Sequence, residues 1–163
     1  MLTLFLVRHA KSEWANDYLK DVDRPLNERG YRDAQQMSES LLSKKFLPEL
    51  IITSPAIRAT STALIFSRTL RYGPVGIRFE EKLYESSVKE YIDVVSNLDA
   101  SKTSVMLFGH NPTITGLSNS LTSPFADNIP TCGVVGIRFK TKQWMDVPST
   151  TGELFLYDFP KNR

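Results

Sequence analysis

Cysteine and histidine are scarce in this chain, and their scarcity excludes most of what they could build. Its 163 residues include one cysteine, Cys132, and two histidines, His9 and His110. A lone cysteine rules out an internal disulfide framework and suits a reducing compartment. Two histidines far apart, with no HxxxH spacing and no cysteine pair, fall short of the three or four ligands that zinc usually takes. No metal and no cofactor is therefore expected. Charge of one sign is also lacking: 20 Lys and Arg against 18 Asp and Glu leave a formal net charge of +2. The cations are scattered, which gives a nucleic-acid partner little support. No apolar run approaches the ~20 residues of a membrane span, and Met1 leads into strand-like sequence without a basic segment and a long apolar one. The expectation is a soluble, cytoplasmic protein with no membrane partner. A GxxxxGKS/T phosphate loop is absent, and no GxGxxG follows the first apolar run, so the common nucleotide sites are excluded.

What is present is ordinary in amount. Hydrophobic residues make up 41% and charged residues 23%, as in a soluble globular protein, and the length suits a single domain over 1–163. Pattern carries more information than amount. The stretch from Leu2 to Val7 is continuously apolar and reads as a strand buried on both faces, yet it ends in Arg8-His9. The segment Leu50-Ile51-Ile52-Thr53 reads as a second such strand. Ser54 is placed to cap the helix that follows it, with Pro55 in the first turn and Ile57, Leu64 and Ile65 as the buried stripe. The segment from Ser104 to Phe108 repeats the opening pattern and ends in Gly109-His110-Asn111-Pro112, where Asn111 can cap a helix starting at Pro112.

Between these strands lie helical periodicities. One runs from an Asn27 cap through Tyr31, Ala34, Met37, Leu41 and Leu42 to about Lys45. Another uses Val88, Tyr91, Ile92, Val95 and Leu98. The stretches Val75 to Phe79, Gly133 to Phe139 and Glu153 to Phe159 read as further strands, the last two as sheet edges. The segment Lys11 to Arg24 is a polar loop or short helix over the first strand end. Strands alternating with helices predict an α/β fold: a three-layer α/β/α sandwich with a mixed, mostly parallel central sheet.

Parallel neighbours would bring three polar strand ends to one sheet edge, where α/β folds bind ligands. Arg8, His9, Arg58 and His110 would then surround one small volume beside two helix N-termini. Arginine grips phosphate through bidentate charge-assisted hydrogen bonds, and helix N-termini favour anions. The guest predicted from residue types alone is a phosphoryl group. A salt-bridged surface arginine or a core histidine is the plainer reading of any one of these residues. Two apolar strands each ending in histidine, with an arginine available to both, favour the functional one.

The segments Arg8-His9-Ala10-Lys11-Ser12-Glu13-Trp14, Asp23-Arg24-Pro25-Leu26-Asn27-Glu28-Arg29-Gly30, Ser54-Pro55-Ala56-Ile57-Arg58-Ala59 and Gly109-His110-Asn111 resemble the histidine phosphatase superfamily. They look most like its short SixA-like phosphohistidine phosphatase branch. The resemblance runs in order along nearly the whole chain. It implies the phosphoglycerate-mutase-like fold and a phosphatase forming a phosphohistidine on His9. Arg8, Arg58 and His110 would complete the phosphate pocket, without metal. It also points to Glu85, in Leu83-Tyr84-Glu85, as the acid that protonates the leaving group, a solvated loop residue being the alternative. Ser12, Asn16 and Asn111 join the substrate-binding candidates. Two features depart from the mutase-like pattern. Position 10 is Ala rather than Gly, and Ala15 separates Trp14 from Asn16, which sets Asn16 apart from its expected phosphate contact. The long insertion that encloses a sugar acid in those mutases is missing, which favours a phosphorylated protein side chain as substrate. The alternatives are a broad phosphomonoesterase acting on small metabolites and a phosphate-binding regulatory module without turnover.

Overall fold

The opening strand forms as its side chains dictate. In the computed structural model, which describes residues 1–161, β1 (Leu2–Arg8) lies inside a sheet with helices on both faces. Alternate side chains serve opposite layers, as the strand period of two requires. Leu2, Leu4 and Leu6 face one core, while Phe5 and Val7 face the other. The same split divides β4 (Ser104–Gly109), where Val105 and Leu107 oppose Met106 and Phe108. Complete burial of each such Leu, Val or Phe contributes about 1.5–3 kcal/mol relative to exposure. A continuous apolar run, rather than an alternating one, is the sequence this environment demands.

The remaining strands are β2 (Leu50–Thr53), β3 (Arg78–Phe79), β5 (Val134–Phe139) and β6 (Glu153–Asp158), in the order β3-β2-β4-β1-β5-β6. From β3 to β1 all pairings are parallel; β5 runs antiparallel between β1 and β6. Helices α1 (Glu28–Ser43) and α2 (Ile57–Thr69) pack together against one face. On the other face lie α3 (Val88–Ser96), α4 (Thr113–Leu121) and the 3-10 turns of Trp144–Ser149. The three-layer sandwich with a mixed, mostly parallel sheet is therefore the observed fold. None of the described helices is long and apolar enough to cross a membrane.

Asn27 caps α1 as expected, its side chain accepting from the Gly30 amide at 2.9 Å. Four expectations need correction. The sheet edges are β3 and β6, whereas β5 is interior and buried along almost its whole length. The strand expected over Val75 to Phe79 shrinks to Arg78–Phe79, because Pro74–Gly76 forms a 3-10 turn that leaves Val75 fully exposed. In α2 the buried stripe is Ala59, Thr62, Ala63 and Phe66; Ile57 is exposed and Leu64 and Ile65 are only half-buried. Small residues let the helix approach the sheet closely, so counting large apolar side chains misplaces the face. Finally, α2 begins at Ile57 rather than at Pro55, and α4 at Thr113 rather than at Pro112.

Candidate active site

The C-terminal ends of β1, β2 and β4 are tied together by the main chain. The His9 amide donates to the Gly109 carbonyl at 3.0 Å, and the Ser54 amide to the Phe108 carbonyl at 3.0 Å. The side chains beyond these ends therefore have rigid bases. His9 sits 2.7 Å from the Ala10 carbonyl through Nδ1. A carbonyl can only accept, so Nδ1 carries the proton, and in the neutral ring the lone pair lies on Nε2. Ala10 is itself fixed: its amide donates to Thr62 Oγ1 at 3.0 Å, and that hydroxyl donates to the Arg58 carbonyl at 2.7 Å. The ring of His110 stands with its centroid 5.2 Å from that of His9.

Ser54 has a different job from the cap expected of it. Its Oγ lies 2.7 Å from His110 Nε2 and only 3.3 Å from the Ala56 amide. Turning toward His110, it fixes one ring nitrogen and leaves His110 Nδ1 buried without a hydrogen-bond partner among the described residues. From the other side, the His110 amide donates to the Tyr91 hydroxyl at 3.2 Å, and that hydroxyl donates to the Leu83 carbonyl at 2.7 Å. Gly109 makes this seat possible, since a Cβ there would lie 2.9 Å from Tyr91 Cε1. Gly109→Ala is accordingly expected to cost about 1–3 kcal/mol of stability, as overpacking does, and to slow turnover by displacing His110. A lowered urea midpoint together with reduced turnover checks both effects.

The two arginines are held alike. Arg8 Nη1 donates to the Ile129 carbonyl at 2.8 Å. Arg58, only 6% exposed, donates through Nη1 to the Asp21 carbonyl at 2.6 Å and through Nη2 to Asp21 Oδ2 at 3.0 Å. In both cases Nε is buried with no partner among the described residues. Unsatisfied buried polar atoms are rare and costly. Here three of them, on Arg8, Arg58 and His110, belong to residues that line one cavity of about 220 Å³ together with His9.

Electrostatics keeps both imidazoles neutral. Burial drives His9 from 6.5 down to about 3; the hydrogen bond with Ala10 opposes this, and the charges of His110, Arg58 and Arg8 add to it. Burial and then the Arg58 charge lower His110 to about 4, with Asp21 pulling the other way. Asp21 shows the opposite balance. Burial raises it, but hydrogen bonds from Tyr84 and Arg58 and the charges of Arg58 and Arg24 prevail and hold it at about 2. Tyr84 donates to Asp21 Oδ2 at 2.7 Å, and Arg24 pairs with Oδ1 at 2.9 Å.

A second cavity of about 300 Å³ adjoins the first through Arg58, His110 and Asn111, and it is lined by Asp21, Tyr84 and Glu85. Glu85 has a φ of 49°, in the left-handed region that costs a residue bearing a side chain roughly 1–2 kcal/mol. Ser12 lines the first cavity and accepts from Arg24 Nη1 at 3.3 Å. Asn111 borders both, but its amide is engaged with Asn128, the Ile129 carbonyl and Thr115. It thus frames the site and also caps α4 as expected, its Oδ1 accepting from the first-turn amide of Thr115 at 3.3 Å. Asn16 is not brought to either cavity: it is exposed, and its side chain accepts from the Tyr18 amide at 3.1 Å. Trp14, largely exposed, lies under the Arg24 guanidinium at 3.7 Å. No group of three or more His, Cys, Asp or Glu among the described residues is placed to hold a metal ion.

Residues 4–94 match the sequence model of the histidine phosphatase superfamily (branch 1). The chain belongs to that superfamily. Among its relatives is an uncharacterized protein of Mycobacterium tuberculosis, 27% identical over 165 residues that span 95% of this chain and all of the relative. In fold the chain is SixA-like. The crystal structure of the putative phosphohistidine phosphatase SixA from Agrobacterium tumefaciens superposes with a TM-score of 0.82 at 24% identity, covering 96% of this chain and 97% of that one. The mycobacterial glucosyl-3-phosphoglycerate phosphatase Rv2419c gives 0.75 at 16% identity, covering 98% and 99%. These likenesses establish the phosphoglycerate-mutase-like architecture that the strand order displays. Sequence reasoning missed five members of the site's framework: Asp21, Ser54 as the partner of His110, Thr62, Tyr84, and Tyr91 as the seat of the His110 amide. No periodicity marks Asp21 against its neighbour Asp23, and only the tertiary fold selects the one that meets Arg58.

Proposed function

We propose that this superfamily member is a phosphatase that works through a covalent phosphohistidine on His9, with protein phosphohistidine as its substrate. Membership of the superfamily supports the hydrolase class. One observation carries the mechanism: His9 offers an Nε2 lone pair on a neutral ring, in a pocket lined by Arg8, Arg58 and His110, each of which keeps one buried nitrogen without a hydrogen-bond partner among the described residues. Phosphoryl transfer asks a protein mainly for position and for charge aimed at the equatorial oxygens. Nε2 attacks phosphorus while the bond to the leaving group breaks. Water then attacks the phosphoryl-histidine, the P–N bond breaks, and phosphate leaves with His9 restored. Arg8, Arg58 and His110 bind the oxygens in both steps.

Glu85 is the proposed acid for the leaving group, since it borders the cavity that adjoins the phosphate pocket. An alkoxide needs a proton to depart, whereas the imidazole of phosphohistidine departs more easily. The expected result is that Glu85→Gln slows hydrolysis of an alkyl phosphoester by about 10²-fold or more, the usual contribution of a positioned acid, but barely slows hydrolysis of a phosphohistidine protein. Measured side by side with a phosphoserine peptide and sugar phosphates, wild-type turnover should be highest on phosphohistidine. Equal losses on both bond types would remove Glu85 from the acid role. Faster turnover of sugar phosphates would favour the broad phosphomonoesterase.

A further inference from the structure

The two adjoining cavities differ in charge, and the difference bears on the leaving group. The cavity containing His9 is lined by the cations Arg8, Lys11, Arg24 and Arg58 and by no carboxylate. The adjoining one is lined by two carboxylates, Asp21 and Glu85, against the single cation Arg58. Resting on the function proposed above, in-line displacement puts the departing group opposite His9 Nε2. His9 borders only the first cavity, while Arg58, His110 and Asn111 border both. Phosphorus then sits at the junction, which Arg58 and His110 line from both sides, and the leaving group projects into the cavity with the carboxylates.

We infer that Asp21, joined by Glu85 as it surrenders its proton to the leaving oxygen, makes this phosphatase discriminate by leaving-group charge, accepting neutral or cationic leaving groups and rejecting anionic ones such as carboxylate-bearing alcohols. The cationic side of the site is directed at the phosphoryl oxygens, and the anionic side at what departs. Asp21 keeps its charge across the working range because Tyr84, Arg58 and Arg24 hold it ionised. The Tyr84 hydroxyl, on the same wall, is pushed up by burial and further by the negative charges of Asp21 and Glu85. Asp21 therefore acts on this wall despite the nearby guanidinium, and Glu85 lines the same wall. Like-charge juxtaposition is a common route to specificity because it penalises the wrong ligand without requiring a better fit for the right one.

Three aryl phosphates of matched phenol acidity test this, carrying on the far side of the ring a carboxylate, no charge, or a trimethylammonium group. Wild-type kcat/KM at low ionic strength is expected to be about tenfold higher for the ammonium than for the carboxylate substrate, a ratio that narrows as salt screens the field. In Asp21→Asn and in Glu85→Gln that ratio should fall several-fold. The uncharged substrate divides out any general loss from a less well oriented Arg58 or from missing acid catalysis, so a purely structural effect leaves the ratio unchanged. Equal kcat/KM for all three substrates, or a preference that persists intact in both variants, overturns the inference while the phosphatase reading stands. No phosphate release from any of the three overturns the phosphatase reading, and this inference with it.

Discussion

His9→Ala is expected to abolish phosphate release, with a loss on the order of 10⁴-fold or more, as for other nucleophile deletions. It should leave the fold intact. His9 is buried, yet its side chain makes one hydrogen bond, to the Ala10 carbonyl, so little holds the surroundings to the ring. The strand beneath it is anchored by the main-chain bonds of Arg8, His9 and Cys132, which alanine preserves. The measurement is phosphate release from an aryl phosphate, paired with rapid quenching of wild-type protein on labelled substrate. Label should appear on His9 in a bond that is acid-labile and base-stable, and it should be missing from the variant. Turnover by His9→Ala near the wild-type rate would sink the covalent mechanism. Loss of turnover with the label found elsewhere would move the nucleophile.

The site divides into parts that local sequence can display and parts that only the fold assembles. His9 and His110 were legible because each closes an apolar run, and a strand buried on both faces does not end in imidazole without a use. Their convergence followed from parallel pairing, which the register of β1 with β4 provides by setting Arg8 opposite Gly109. Arg58 was legible from its place just after β2. What holds these residues was not. Ser54 has the local signature of a helix cap, and a hydroxyl can serve either a helix amide or a distant imidazole; its 2.7 Å approach to His110 depends on where β4 ends. Asp21 and Tyr84 meet across 63 positions of sequence in a contact that no hydrophobic period encodes. The same limit explains α2. Its buried face is set by how closely it approaches the sheet, so Ala59 and Ala63 lie inside while Ile57 is exposed.

The framework around Arg58 gives the other large expected effect. Arg58→Lys should lower kcat/KM by about 10²- to 10³-fold, the usual cost of removing a preorganised donor to a developing charge. The substitution keeps the positive charge, so net charge is not the reason. The guanidinium performs two tasks at once because it is a planar fork. Its Nη1 and Nη2 engage the Asp21 carbonyl and carboxylate, while the guanidinium still lines the pocket and its Nε has no partner among the described residues. A lysine ammonium has a single nitrogen and cannot face both directions. Drawn to Asp21 and the Tyr84 hydroxyl beside it, that nitrogen would abandon the phosphate. The inhibition constant for inorganic phosphate should therefore rise together with the fall in kcat. Asp21→Asn should do less damage, about tenfold or below, because an amide oxygen still accepts from Nη2 and the carbonyl bond to Nη1 is untouched. If Arg58→Lys keeps kcat/KM within about threefold, Arg58 acts only as a diffuse charge, and the Asp21 tether has no part in aiming it.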